Sequence, residues 1–273
     1  MTEEPASLPT PSTPPPPRIQ TGPPPDDAAV EIRNLYKRFG TKTADNGLSL
    51  SVPRGTFFGL VGPNGAGKST TLKIATGLLR PDSGEVWVAG RNVWVDPRAV
   101  KATIGVVPED LRLFERLTGL EMLEYVGLLR GFDRSVCRQR AGELMEIMDL
   151  SEAAGRLVLD YSTGMRKKIA LGAAILHRPS VLFLDEPFES VDPLSVRALR
   201  EILSQLVHNG ATVVFSSHVM EVVERLCDHV AVVHQGNVVA NGPTAEVCGG
   251  RRLEDVFADA VGHSAAAKTL DWL

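Results

Sequence analysis

From Val30 to about Gly242, short apolar runs alternate with amphipathic stretches. Thr56 to Val61 is apolar with β-branched and aromatic residues, which predicts a strand. Lys68 to Leu79 carries Leu72, Ala75 and Leu79 at helical spacing and predicts a helix closed at Arg80-Pro81. Glu85 to Ala89 alternates between Gly84 and Gly90, the pattern of an antiparallel strand. The stretch from about Leu120 to Leu159 is mostly helical by pattern. Val181 to Leu184, Thr212 to Ser216 and Val230 to Val233 are buried-strand candidates, with helical stretches at Leu194 to Val207 and Val219 to Cys227. Strand, helix, strand in succession implies an α/β fold with a parallel sheet covered by helices. No internal repeat is visible.

The ends read differently. Ten of the 19 prolines precede Asp26, and Pro14 to Pro17 and Pro23 to Pro25 can neither continue a helix nor pair in a ladder. Residues 1–27 therefore read as a disordered, Pro-rich arm, more simply a solvated tail than a ligand for a proline-binding domain. Residues 28–245 read as the folded domain, and 246–273 as a helical extension and tail. Within that tail Ser264 to Ala267 carries little structural signal, and Leu270 and Trp272 are left to dock or dangle.

Composition narrows the classes. The 273 residues are 43% hydrophobic and 23% charged, an ordinary globular balance. Lys+Arg number 29 against Asp+Glu 33, a net charge of −4, so no nucleic-acid partner is expected. Cys137, Cys227 and Cys248 are widely spaced and form no CxxC pair, which argues against a zinc site or a disulfide framework. The acidic start, Met1 to Pro5, lacks the features of a signal peptide. The best internal apolar run, Ile169 to Leu176, is far short of the about 20 residues a spanning helix needs. Any membrane role requires a partner.

The strongest chemical signal is Gly62-Pro63-Asn64-Gly65-Ala66-Gly67-Lys68-Ser69, followed by Thr70. It fits the phosphate loop G-x-x-x-x-G-K-[ST], with a predicted strand before it and a helix after it. Glycines let backbone N–H groups turn around phosphate oxygens, and the helix N-terminus adds partial positive charge. Lys68 would reach the terminal phosphates, Ser69 would hold Mg²⁺ and Thr70 would add a phosphate contact. The alternative is a glycine-rich turn with no ligand. A second piece, Val181 to Leu184 followed by Asp185-Glu186, puts two carboxylates at a strand's carboxyl end, where open α/β sheets bind ligands. Asp185 would serve Mg²⁺, mainly through water, and Glu186 would polarise the attacking water. Together these pieces define a P-loop NTPase core.

The order of motifs resembles the ATP-binding cassette (ABC) ATPase family over about Val30 to Gly242. The family signature, usually Leu-Ser-Gly-Gly-Gln, stands here as Tyr161-Ser162-Thr163-Gly164-Met165 followed by Arg166-Lys167-Lys168. The resemblance implies the parallel-sheet core, an antiparallel β-subdomain and a helical subdomain at about 109–163. It implies ATP and Mg²⁺ as ligands, and two cassettes closing head to tail over two ATP molecules. Ser162 and Gly164 would then meet nucleotide held by the other subunit. His218 matches the switch histidine and Asp192 the D-loop aspartate. Phe39 matches the aromatic that stacks on adenine, core packing being its alternative. Arg166 to Lys168 read as a solvated face or a partner contact.

Glu109 stands where the family usually has a glutamine whose amide oxygen joins the Mg²⁺ shell. It is a candidate metal ligand, or it faces solvent with Asp110. Leu111, Leu113, Phe114 and Leu117 lie where family members form a groove for a partner's cytoplasmic helix. The implied function is ATP hydrolysis driving transport, export by analogy, through a separate transmembrane permease at the cytoplasmic face of the membrane. A soluble ABC ATPase with a non-transport role is the competing expectation, and an ATP-binding interaction protein is a third.

Overall fold

The structure is a computed structural model that describes Gly22 and residues 24–262. Most of the Pro-rich arm, together with Ser264 to Ala267, Leu270 and Trp272, lies outside the described residues. The last residues of the arm are tied down rather than free. Asp26 and Asp27 accept from Arg54 through their carbonyls, at 2.8 and 2.9 Å.

Among the described residues there are two sheets. The first is antiparallel, in the order β2 (Lys42–Pro53), β1 (Ala28–Phe39), β4 (Ser83–Val88) and β5 (Arg91–Asn92). The second is mostly parallel and runs β10 (Asn237–Pro243), β9 (His229–His234), β3 (Phe57–Val61), β8 (Thr212–Ser217), β7 (Val181–Asp185) and β6 (Ile104–Val107). Only β10 pairs antiparallel in it. Every residue of β3, β7 and β8 is buried, as a sheet covered on both faces requires.

The strands divide their side chains between two cores. Phe57, Val61, Leu182, Leu184, Val213 and Phe215 face one, together with helices α3 (Gly119–Leu129), α4 (Arg134–Ile147), α5 (Thr163–Ile175), α6 (Pro193–His208) and α7 (Met220–Leu226). Phe58, Leu60, Val181, Phe183 and Val214 face the other, against the antiparallel sheet and α1 (Lys68–Ala75). Period-2 alternation thus feeds two layers from a single sheet. The short helix α2 (Pro97–Thr103) precedes β6, and α8 (Thr244–Cys248) and α9 (Leu253–Ala260) follow β10, with Leu253 fully buried in the first core.

One expectation of element bounds needs correction. The helix after the phosphate loop ends at Ala75, not Leu79. A Schellman pair, Leu78 N–H to the Lys73 carbonyl (2.8 Å) and Gly77 N–H to that of Ile74 (3.0 Å), closes it a turn early. The 120–159 stretch is mostly helical as expected, two helices followed by two 3₁₀ turns, Ser151–Ala153 and Val158–Asp160. Among the described residues no helix is long and apolar enough to cross a membrane.

Candidate functional site

The phosphate loop bridges β3 and α1 and is clamped from two sides. Gly236 N–H donates to the Ala66 carbonyl (2.8 Å), and the Gly236 carbonyl accepts from Asn46 N–H (2.9 Å). Gly67 has φ +115°, and a Cβ there would lie 2.4 Å from the Ala44 carbonyl oxygen, so no larger residue fits. Under this corner lies Asp45, fully buried. One of its oxygens accepts from Thr71 Oγ1 at 2.6 Å, and the other has no partner. Burial pushes its carboxyl up to about 6, against the smaller opposing effect of the Thr71 hydroxyl.

Lys68, only 5% exposed, donates to the Gly62 carbonyl (2.8 Å) and the Pro63 carbonyl (3.3 Å) and lies 3.6 Å from Glu186 Oε1. Asp185 ends β7. Its Oδ1 accepts from Ser69 Oγ (2.9 Å) and from Ser216 Oγ (2.6 Å), and Ser216 Oγ accepts from Glu186 N–H (3.0 Å). Glu186, 7% exposed, takes a left-handed φ of +47°, a strain of about 1–3 kcal/mol that the surroundings must hold. Its Oε2 lies 3.1 Å from His218 Nδ1, presented just after β8. A cleft of about 300 Å³ opens over these groups. Its lining includes Phe39, Lys42, Asn64, Gly65, Gly67, Lys68, Ser69 and Thr70, together with Glu109, Glu186, Glu189 and His218.

The cleft gathers most of the residues expected from sequence. Phe39 is 49% exposed at its rim with Lys37 Nζ 5.5 Å from the ring centroid, so core packing is not its role. Glu109 is exposed on the cleft wall, whereas Asp110 faces away and pairs with Arg112. Ser162, Gly164 and Asp192 are not brought into this cleft. Ser162 is exposed and caps α5, accepting from Met165 N–H at 3.3 Å. Asp192 is exposed and caps α6 through Ser195 N–H (3.0 Å), a bond that, with the Ser195 hydroxyl, holds its carboxyl below the usual range. A Cβ on Gly164 would lie 2.8 Å from Ser195 Oγ and 2.9 Å from Asp192 Oδ2, so this glycine seats the two caps against each other.

The basic run after the signature is not a solvated face. Arg166 pairs with Glu115 (2.8 Å), Lys168 is buried, and Lys167 donates to the carbonyls of Glu186 (2.8 Å) and Glu189 (2.7 Å). A basic run after a cap looks solvent-facing until the fold brings carbonyls to it. Lys42, Asp45 and Ser216 were also missed. No motif marks them, although Lys42 is the cross-strand partner of Phe39. Of the apolar residues after Glu109, Leu111, Leu113 and Leu117 pack on the first core, while Phe114 stays half exposed, edge-on to Tyr125 at 5.1 Å.

A phosphate loop at the head of a covered helix, with an acid pair at the end of a parallel strand of the same sheet, one strand removed, defines a P-loop ATPase. Residues 46–189 match the ABC transporter family profile. The linearmycin resistance ATP-binding protein LnrL of Bacillus subtilis (strain 168) is 38% identical over 80% of this chain and 70% of its own length. The bacitracin transport ATP-binding protein BcrA of Enterococcus faecalis is 34% identical over 89% of this chain and 78% of its own. A solved ATP-binding subunit of an ABC transporter superposes with a TM-score of 0.79 at 28% identity, covering 85% of this chain and 99% of that one. The chain belongs to the ABC transporter family, as an ATP-binding, ATP-hydrolysing subunit.

Proposed function

We propose that this chain powers export by closing head to tail with a second cassette, a copy of itself or a related subunit, over two molecules of Mg·ATP. A separate membrane-spanning permease, not this chain, carries the cargo, and the protein works at the cytoplasmic face of the membrane. The observation that carries the reading is an asymmetry. Lys68, Glu186 and His218 line one cleft, with Asp185 bonded to its Ser69, whereas Ser162 and Asp192 stand exposed outside it, with Gly164 buried between their caps. A surface of this kind completes its site only against another molecule. Relatives named for linearmycin, daunorubicin and bacitracin resistance or transport, and for Nod factor export, support an exporter.

The residues fit Mg²⁺. Ser69 Oγ and Asp185 Oδ1 are hard oxygens 2.9 Å apart beside the phosphate loop, and Glu109 offers a second carboxylate on the wall. Two such ligands plus phosphates and water are the usual set for this ion. Bound there, Mg²⁺ would neutralise charge on the phosphates.

Phosphoryl transfer asks mainly for positioning and charge neutralisation. Lys68 exchanges its bonds to the Gly62 and Pro63 carbonyls for phosphate oxygens. Glu186, steered by His218, orients the attacking water. Phe39 stacks on the base at the rim. Ser162 from the opposite subunit donates to the terminal phosphate, and Gly164 lets backbone N–H groups approach it. Asp192 contacts the opposite subunit.

The test is Glu186→Gln. It removes the water-orienting charge and is expected to cut steady-state hydrolysis by about 100- to 1000-fold while leaving ATP capture intact, so that Mg·ATP drives the variant into a stable dimer on size exclusion. Wild-type turnover in this variant overturns the reading.

A further inference from the structure

We propose that Lys167 is a positioning residue for Glu186, joining the backbone of that carboxylate to the helix that starts at Ser162. The inference rests on the assignment of Glu186 above. The segment Glu186–Ser190 begins and ends in left-handed backbone, with φ +47° at Glu186 and +55° at Ser190, neither of them glycine. Such a turn keeps its shape only where its surroundings hold it. From within, Glu189 N–H donates weakly to the Glu186 carbonyl (3.3 Å). From β8, Ser216 Oγ accepts the Glu186 N–H (3.0 Å). The side chain that holds the carbonyl side is Lys167, whose Nζ reaches both the Glu186 oxygen (2.8 Å) and the Glu189 oxygen (2.7 Å). Both are short, charge-assisted bonds.

Lys167 is half-buried. Burial lowers its pKa, and the carboxylates of Glu189, Glu186 and Glu109 oppose that lowering without reversing it. It belongs to α5, whose first turn carries Ser162 and Gly164. That turn faces away from this chain's own cleft, and in the paired cassette it meets the other nucleotide. A displacement of α5 by that nucleotide therefore pulls on the main chain of this chain's Glu186 through Lys167. These two hydrogen bonds act directly on the Glu186 turn, in addition to the packing of α5 on the shared core.

The experiment uses the full-length chain with Lys167→Met, Lys167→Gln and Lys167→Arg. Readouts are steady-state Mg·ATP hydrolysis, equilibrium binding of Mg·ATP and thermal unfolding, with Glu186→Gln in parallel. Loss of both donors is expected to lower kcat by about 10- to 100-fold, with KM and ATP affinity within about twofold. Arg, which can also bridge two carbonyls, is expected to restore kcat to within about threefold of wild type, with Gln between Arg and Met. Should the Met variant fail to fold, the Gln and Arg pair carries the test. A Gln variant with wild-type kcat, or variants that lose affinity and kcat together, overturns the proposal. If Glu186→Gln itself keeps full turnover, the assignment of Glu186 falls and this inference with it. If Glu186→Gln is inactive and Lys167→Met is not, only the role of Lys167 is lost.

Discussion

The phosphate-loop side and the signature side of this molecule are built on opposite terms. On the first, Lys68, Asp185 and Glu186 are buried, and each has at least one partner far away in sequence: Glu186 for Lys68, Ser69 and Ser216 for Asp185, His218 for Glu186. On the second, Ser162 and Asp192 stand exposed, and the bonds they accept come from N–H groups three residues on. The first half is preorganised within one chain. The second is two helix caps presented to solvent and seated against each other at Gly164. In the pairing proposed above, the first half gets its rigidity from folding and the exposed half would meet its ligand on the neighbouring cassette.

That contrast can be broken experimentally. The largest effect is expected from Gly67→Ala on the buried side. The new Cβ meets the Ala44 carbonyl oxygen at 2.4 Å, and neither backbone can give way cheaply. The variant should lose about 2–4 kcal/mol of stability in urea unfolding and fail to bind ATP. A variant that unfolds and binds like wild type would show that the corner is not as closely built as described.

Asp45 tests the same side through pH. Its folded pKa of about 6 lies above the ordinary 3.8, so the fold binds this proton more tightly than the unfolded chain does. Its contribution to stability is therefore greatest at low pH, declines as pH rises from about 4 to 6 and is flat above that. Asp45→Asn removes the titration. Between pH 4.5 and 7.5 the variant should gain about 2 kcal/mol on wild type, measured by paired urea melts. A constant difference across that range would place the charge in water instead.

On the exposed side Ser162→Ala should cost only about 1 kcal/mol, the usual loss for a helix cap, and leave ATP capture by the single chain unchanged. Hydrolysis by the paired cassettes should nonetheless fall about tenfold or more. Equal loss of capture and turnover would erase the distinction between the halves.

The strands were legible because burial on both faces leaves little choice of residue. Val181 to Leu184 and Thr212 to Ser216 read as strands without any partner in view, and both are. The phosphate loop was legible because its chemistry is local, a turn and a helix start within a few residues. The end of α1 was misjudged because Leu79 continues the apolar spacing after the Schellman bonds have already closed the helix, and it packs on the second core from outside it. Lys167 was misjudged because a cation near a cap is usually solvated, and its partners lie 19 and 22 residues further along the chain.

The sequence by itself determined which chemistry is present: a phosphate loop on a strand and helix, an acid pair at a strand end, a capped signature helix and a following histidine. These are set by spacing within single elements, where covalent connection fixes geometry. Only the tertiary structure decided which of them meet. It brought Ser69 and Ser216 onto one oxygen of Asp185, His218 onto Glu186 and Lys167 beneath it, and it left Ser162 and Asp192 facing outward. The reason is that strand order in a parallel sheet places distant segments side by side, and no local pattern encodes which strand will be the neighbour.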